Sequence, residues 1–93
     1  MKVKIVGRWE NGKPAPCNAC LELKRLTRIS LDELGLRDVD IEECASEAEY
    51  NSLGVMAMPV LIINGKIKMS GRVPPVEMLK ELLRFEQGKE TVR

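Results

Sequence analysis

Val3 and Ile5 alternate with Lys2 and Lys4 at period two, the pattern of a strand with one buried face, and Gly7 closes it. The segment that follows, RWENGKPAP at 8–16, holds a glycine, two prolines and an Asn-Gly pair, so it reads as a long loop that delivers the chain to Cys17. Cys20, Leu23, Leu26, Ile29 and Leu34 then recur at helical spacing, with Lys24, Arg25, Arg28 and Asp32 on the other side. The spacing predicts an amphipathic helix ended by Gly35. Leu36, Val39 and Ile41, set among Asp38, Asp40 and Glu42, suggest a short second strand. Ser46 and Glu49 have the S-x-x-E capping form, which predicts a short helix to about Leu53 with Gly54 stopping it. Val60 to Ile63 is a β-branched and leucine run, and Ile67 and Met69 alternate with Lys66, Lys68 and Ser70 beyond Asn64-Gly65. That pair is suited to the two positive φ angles of a type I′ turn, so a hairpin is expected. Pro74-Pro75 opens a last helix with Val76, Leu79, Leu82 and Leu83 on one face, running to about Gln87 and ended by Gly88. The order is β-α-β-α-β-β-α. A strand-helix-strand unit makes a right-handed parallel crossover and the hairpin adds antiparallel strands, which gives an α/β sandwich of one mixed sheet with helices on both faces.

A chain of 93 residues suits one domain; we expect it to span 1–88, with 89–93 as a frayed tail. With 44% hydrophobic and 31% charged residues it should fold and be soluble. Trp9, Tyr50 and Phe85 are the only aromatics, so the core must be aliphatic and there are few platforms on which bases could stack. A formal net charge of +1 gives no electrostatic footprint for nucleic acid or an anionic membrane. The longest apolar run, Val55 to Ile63, falls short of the about 20 residues a membrane span needs. The N-terminus lacks the apolar core of a signal peptide, which points to an intracellular, cytoplasmic protein. Histidine is absent, which removes Ser-His-Asp hydrolysis, Cys-His proteolysis and histidine-containing metal sites. Cysteine and carboxylate chemistry is left.

Cys17-Asn18-Ala19-Cys20 is a C-x-x-C where a loop turns into a helix. Such a pair serves either as a redox couple or as half a zinc site. At the helix start, unpaired N–H groups and the positive end of the macrodipole favour a thiolate at Cys17. Cys20 lies one turn further in and is better shielded, and the spacing lets the two sulfurs meet. Cys17 is then the attacking thiolate and Cys20 the resolving thiol. A metal site would recruit Cys17, Cys20 and Cys44, and with no histidine its fourth ligand would be a carboxylate, water or another subunit. Cys44 has no motif partner and reads as a small buried residue. Trp9 is either a core aromatic or a recognition residue above the cysteines. Pro59 stands at the head of an apolar strand, a place where proline is tolerated and an X-Pro bond can be cis.

A first strand, C-x-x-C at a helix start, a second strand, a helix, and then Met58-Pro59 before a hairpin and a final helix resembles the thioredoxin-like superfamily. The segment EYNSLGVMAMPVLIINGKIKMSGRVPPVEMLKELL looks like its small single-domain redox-active disulfide proteins. The likeness runs from about Met1 to Phe85. It implies a four-stranded mixed sheet with three helices, a reversible Cys17–Cys20 disulfide, and Pro59 as a cis-proline facing it, with the Met58 backbone pairing to the partner's extended chain. The motif here is P-C-N-A-C where true thioredoxins have W-C-G-P-C. The first strand carries no acidic residue to assist proton transfer, so Glu10 and Asp40 are the carboxylates expected to approach the site. The function expected is that of a thiol–disulfide oxidoreductase or electron-transfer thiol carrier. It needs no bound cofactor, only protein disulfide substrates and an external thiol or disulfide reductase. Its rivals are a thiolate metal-binding module and an interaction domain with an idle disulfide.

Overall fold

A computed structural model describes residues 1–15, 17–43, 47–53 and 57–91. Strand β1 (Val3–Val6) is followed by two short strands, β2 (Trp9–Glu10) and β3 (Lys13–Pro14), and then by helix α1 (Asn18–Glu33). Strand β4 (Ile41–Glu43), helix α2 (Glu47–Asn51), the β5 (Val60–Ile63) and β6 (Lys66–Ser70) hairpin, and helix α3 (Val76–Thr91) complete the chain. The main sheet has the order β4-β1-β5-β6. β1 runs parallel to β4 and antiparallel to β5, and β5 is antiparallel to β6, so the sheet is mixed as expected.

Period-two alternation in β1 sends Val3 and Ile5 into the core, where they meet Leu61 and Ile63 of β5, Leu23 and Leu31 of α1, and Leu79 and Leu83 of α3. Each buried aliphatic contributes on the order of 1.5–3 kcal/mol relative to exposure. Lys4 points to the opposite face and pairs there with Glu49 of α2, which sets helices on both sides of the sheet. The β5–β6 turn uses Asn64 and Gly65 at φ 53° and 78°, as the Asn-Gly pair predicts.

α1 ends in a Schellman motif. Gly35, at φ 76°, donates its N–H to the Asp32 carbonyl, and Leu36 donates to the Leu31 carbonyl. Its buried arc differs from the predicted one: Leu23, Thr27, Ser30 and Leu31 are buried, whereas Leu26 and Ile29 are half-buried. The helix packs against both β1 and α3, so its covered face is wider than one aliphatic stripe. Ser30 Oγ is satisfied by the Leu26 carbonyl at 2.7 Å.

Three further expectations are corrected. The second strand is only Ile41–Glu43; residues 36–40 form a turn whose carbonyls at Leu36, Arg37 and Val39 accept from the Arg28 guanidinium. Arg28 is therefore a staple between α1 and this turn, where the helical pattern had set it on the solvated side. The loop at 8–16 contains the β2–β3 hairpin, turned by Asn11 and Gly12 at φ 52° and 76°. α3 continues through Gly88 to Thr91, because a single helical glycine costs only about 1 kcal/mol against alanine and the preceding turns are anchored by Leu79, Leu83 and Glu86. The predicted cap at Ser46, the stop at Gly54 and the burial of Cys44 lie outside the described residues.

Candidate functional site

Cys17 is the N-cap of α1, with extended backbone at φ −152° and ψ 101°, and its carbonyl accepts the first helical bond, from the Leu21 N–H at 3.2 Å. Its Sγ accepts the Cys20 N–H at 3.2 Å, so sulfur stands where a capping serine or threonine oxygen would. Cys17 and Cys20 are joined as a disulfide, with Sγ–Sγ 2.08 Å and Cα–Cα 5.2 Å. The first turn of α1 carries no acidic side chain, so nothing there offsets the positive end of the helix dipole.

Gly7, where the alternating pattern of β1 stops, lies directly against Cys20. A Cβ at Gly7 would sit 3.1 Å from Cys20 Sγ and 3.5 Å from Cys20 Cβ. Gly7 does not adopt positive φ, so its role is close approach: the absent side chain leaves the space that the sulfur occupies.

In front of the disulfide is an open groove of about 240 Å³, which Trp9, Ala15, Leu21, Lys24 and Glu43 line together with the cysteines. Trp9 is half-buried in the groove wall, and Leu21, one residue past Cys20, is 66% exposed. Lys24 and Glu43 form an ion pair of 2.8 Å, which makes Glu43 the carboxylate that borders the groove. The two carboxylates expected near the site do not line it. Glu10 is exposed and paired to Arg8 at 2.7 Å, and Asp40 is exposed. On the outer side of α1, Glu22 accepts from Arg25, and that hydrogen bond holds the Glu22 carboxyl below its ordinary range. Among the described residues no group of three or more metal-ligating side chains converges.

Strand register sets Pro59 beside Gly7, although neither Met58 nor Pro59 lines the groove. Val6 pairs with Val60, so the next positions out on β1 and β5 are Gly7 and Pro59. Pro59 is fully buried and the Met58–Pro59 peptide bond is cis. The segment is held from β6: Ser70 Oγ donates to the Ala57 carbonyl at 2.8 Å, and the Gly71 N–H donates to the Pro59 carbonyl at 2.9 Å. A Cβ at Gly71, itself at φ 77°, would fall 2.7 Å from Ala57 Cβ, so glycine is required there on both counts. Between these two anchored carbonyls the half-buried Met58 has no backbone hydrogen-bond partner among the described residues.

This geometry meets known proteins at the level of sequence. The chain is 30% identical over 83 residues to a thioredoxin of Methanothermobacter thermautotrophicus strain Delta H, an alignment that covers 89% of this chain and 97% of that protein. No solved structure matches. The cysteine pair at disulfide distance and this kinship together support a thiol–disulfide redox role. The model of the thioredoxin domain matches residues 1–84, and the chain belongs to that family.

Proposed function

We propose that the protein is a thiol–disulfide oxidoreductase or electron-transfer thiol carrier of the cytoplasm, acting on protein disulfides. The observation that carries this reading is the capping geometry of Cys17: its sulfur faces the Cys20 N–H at the uncompensated positive end of α1. A thiolate accepts that hydrogen bond more strongly than a thiol, since charge-assisted bonds are about twice as strong as neutral ones. In the reduced protein the Cys17 thiolate attacks a substrate disulfide. A mixed disulfide forms and one substrate thiolate leaves, taking a proton from solvent. Cys20 then loses its proton and attacks Cys17 Sγ, which releases the second substrate thiolate and closes the Cys17–Cys20 disulfide. Two electrons and two protons have passed to the substrate, and an external dithiol or reductase returns them.

The Met58 backbone beside Pro59, without a hydrogen-bond partner among the described residues, supports a role in holding the substrate chain, as does Trp9 in the groove wall. No bound cofactor enters the chemistry. The test is site-resolved iodoacetamide labelling of the reduced protein from pH 6 to 8. Cys17 should react first and fastest; faster labelling of Cys20 or Cys44 would reassign the nucleophile. A Cys20→Ser variant should accumulate mixed disulfides on Cys17 with its natural partners, and their sequences identify them.

A further inference from the structure

The β2–β3 ladder leaves the backbone of one groove-lining residue unpaired among the described residues. With Asn11 and Gly12 as a two-residue turn, Glu10 and Lys13 form the rung that exchanges both backbone bonds. Rungs alternate in an antiparallel pair, so Trp9 opposite Pro14 is a non-exchanging rung and Arg8 opposite Ala15 exchanges again. The Ala15 N–H donating to the Arg8 carbonyl at 2.8 Å is that third rung. At the middle rung the backbone polar groups therefore point away from the hairpin. Pro14 has no N–H to present there, which suits proline to its edge and blunts that edge against pairing. Trp9, on the opposite edge, keeps a donor and an acceptor. The sheet has no third strand, and no backbone bond outside the ladder engages Trp9 among the described residues.

The same residue lines the groove in front of the disulfide, and the hairpin's second strand leads almost directly into Cys17. We infer that the Trp9 edge is a strand-docking site: an extended segment of the substrate protein hydrogen-bonds to the Trp9 N–H and carbonyl beside Cys17. This inference rests on the redox reading and names its substrate class. The occupant is a disulfide in an extended or locally unfolded polypeptide segment, with an apolar residue near its cysteine. An N–H and a carbonyl on one residue are what a single rung of an added strand requires, and main-chain pairing of this kind gives affinity without demanding a particular sequence. The 66% exposed Leu21 and the Trp9 ring supply the apolar contact. β6, an edge of the main sheet, carries Lys66 and Lys68, the kind of charges that discourage pairing.

The test compares two adducts of Cys20→Ser, in which Cys17 stays joined to what it has attacked. One adduct is made from an extended peptide carrying a thiopyridyl-activated cysteine flanked by leucine, the other from the corresponding disulfide of mercaptoethanol. In each, the Cys17 thiolate displaces thiopyridone and keeps the other half as a mixed disulfide. Hydrogen exchange at the Trp9 amide, read by NMR, should slow at least tenfold in the peptide adduct relative to the mercaptoethanol adduct, with Gly12 unchanged. N-methylation of the peptide residue that supplies the rung should abolish the protection. Equal exchange in the two adducts would overturn the docking site while leaving the redox reading intact. Failure of Cys17 to form either adduct would overturn the redox reading, and the docking site with it.

Discussion

Gly7 and Thr27 show at single positions how the site and the core are constrained. At Gly7 a methyl group meets Cys20 Sγ at 3.1 Å, so even alanine forces the sulfur to give by a few tenths of an ångström, and valine forces more. Overpacking of this kind costs about 1–3 kcal/mol. Gly7→Val should destabilise the reduced protein by that order in urea unfolding, and the loss should shrink in a Cys20→Ala background, where the opposing sulfur is gone. An equal loss in both backgrounds would detach Gly7 from the cysteine pair. Thr27 presents the reverse case. Its Oγ1 is buried without a hydrogen-bond partner among the described residues. An unsatisfied buried hydroxyl costs about 1–3 kcal/mol, so Thr27→Val should raise stability by about 1 kcal/mol, or Tm by about 4–8 °C. A lower Tm would mean that the hydroxyl has an unrecognised partner. Neither residue was legible in the sequence. A glycine at a strand end has many ordinary explanations, and a threonine within an aliphatic helical pattern reads as the border of the face, whereas the covered arc of α1 takes it in.

At the scale of elements, the two Asn-Gly pairs separate what sequence can and cannot reveal. Asn64-Gly65 lies between Val60–Ile63 and an alternating strand, so turn chemistry and hydrophobic pattern agree and the hairpin is legible. Asn11-Gly12 forms the same turn, but its flanks, Trp9–Glu10 and Lys13–Pro14, are too short to alternate, and Pro14 reads as a breaker. Only the ladder shows that this proline sits on a rung where no N–H is needed. The C-x-x-C and its helix start are legible because each is set by local chemistry, whereas the reading of Met58-Pro59 comes from the family resemblance. The border formed by Lys24 and Glu43 is not legible, since it depends on β4 lying beside β1. The loop between α1 and β4 depends likewise on one long-range staple, in which Arg28 donates to Val39 at 2.8 Å and to Leu36 at 3.2 Å. Hydrogen bonds from a charged group contribute about 1.5–3 kcal/mol, so Arg28→Met, which keeps the aliphatic stem, should destabilise by about that much. The amide of Val39 should also exchange faster, and a variant with unchanged stability and exchange would remove Arg28 from this role. Glu22 and Arg25 call for the opposite expectation. The Glu22 carboxyl is depressed by its Arg25 hydrogen bond, so whatever it adds to stability is present above its unfolded value and lost as pH falls through the folded one. The pair is exposed and screened by salt, so Glu22 should titrate below the ordinary glutamate range by NMR at low ionic strength and move upward in high salt, with little change in Tm.

For the molecule as a whole, the disulfide and the core are separate structures. The buried cluster draws on β1, β5, α1 and α3 and contains neither cysteine. A second charged cluster, buried Glu86 with Lys66 and Lys68, joins α3 to β6 near the Asn64-Gly65 turn, at the other end of β5 from Pro59. The disulfide spans only three positions within one chain segment, so it closes a very short loop. In the chain-entropy account such a loop stabilises by on the order of 2 kcal/mol. Opening the bond also frees a thiolate to accept the Cys20 N–H at the helix start, which returns part of that loss. A carrier that cycles between the two states needs this arrangement, since a fold that depended on its disulfide would unfold each time it was reduced to take up its electrons. Reduction with dithiothreitol should therefore leave the far-UV circular dichroism unchanged and the unfolding transition cooperative. The loss in Tm should stay within about 15 °C, from roughly 4–8 °C per kcal/mol for a domain of this size. Reduced protein that had lost its cooperative transition at 25 °C would show that the cysteine pair is a structural cross-link, and a reversible redox cycle through Cys17 and Cys20 would then be untenable.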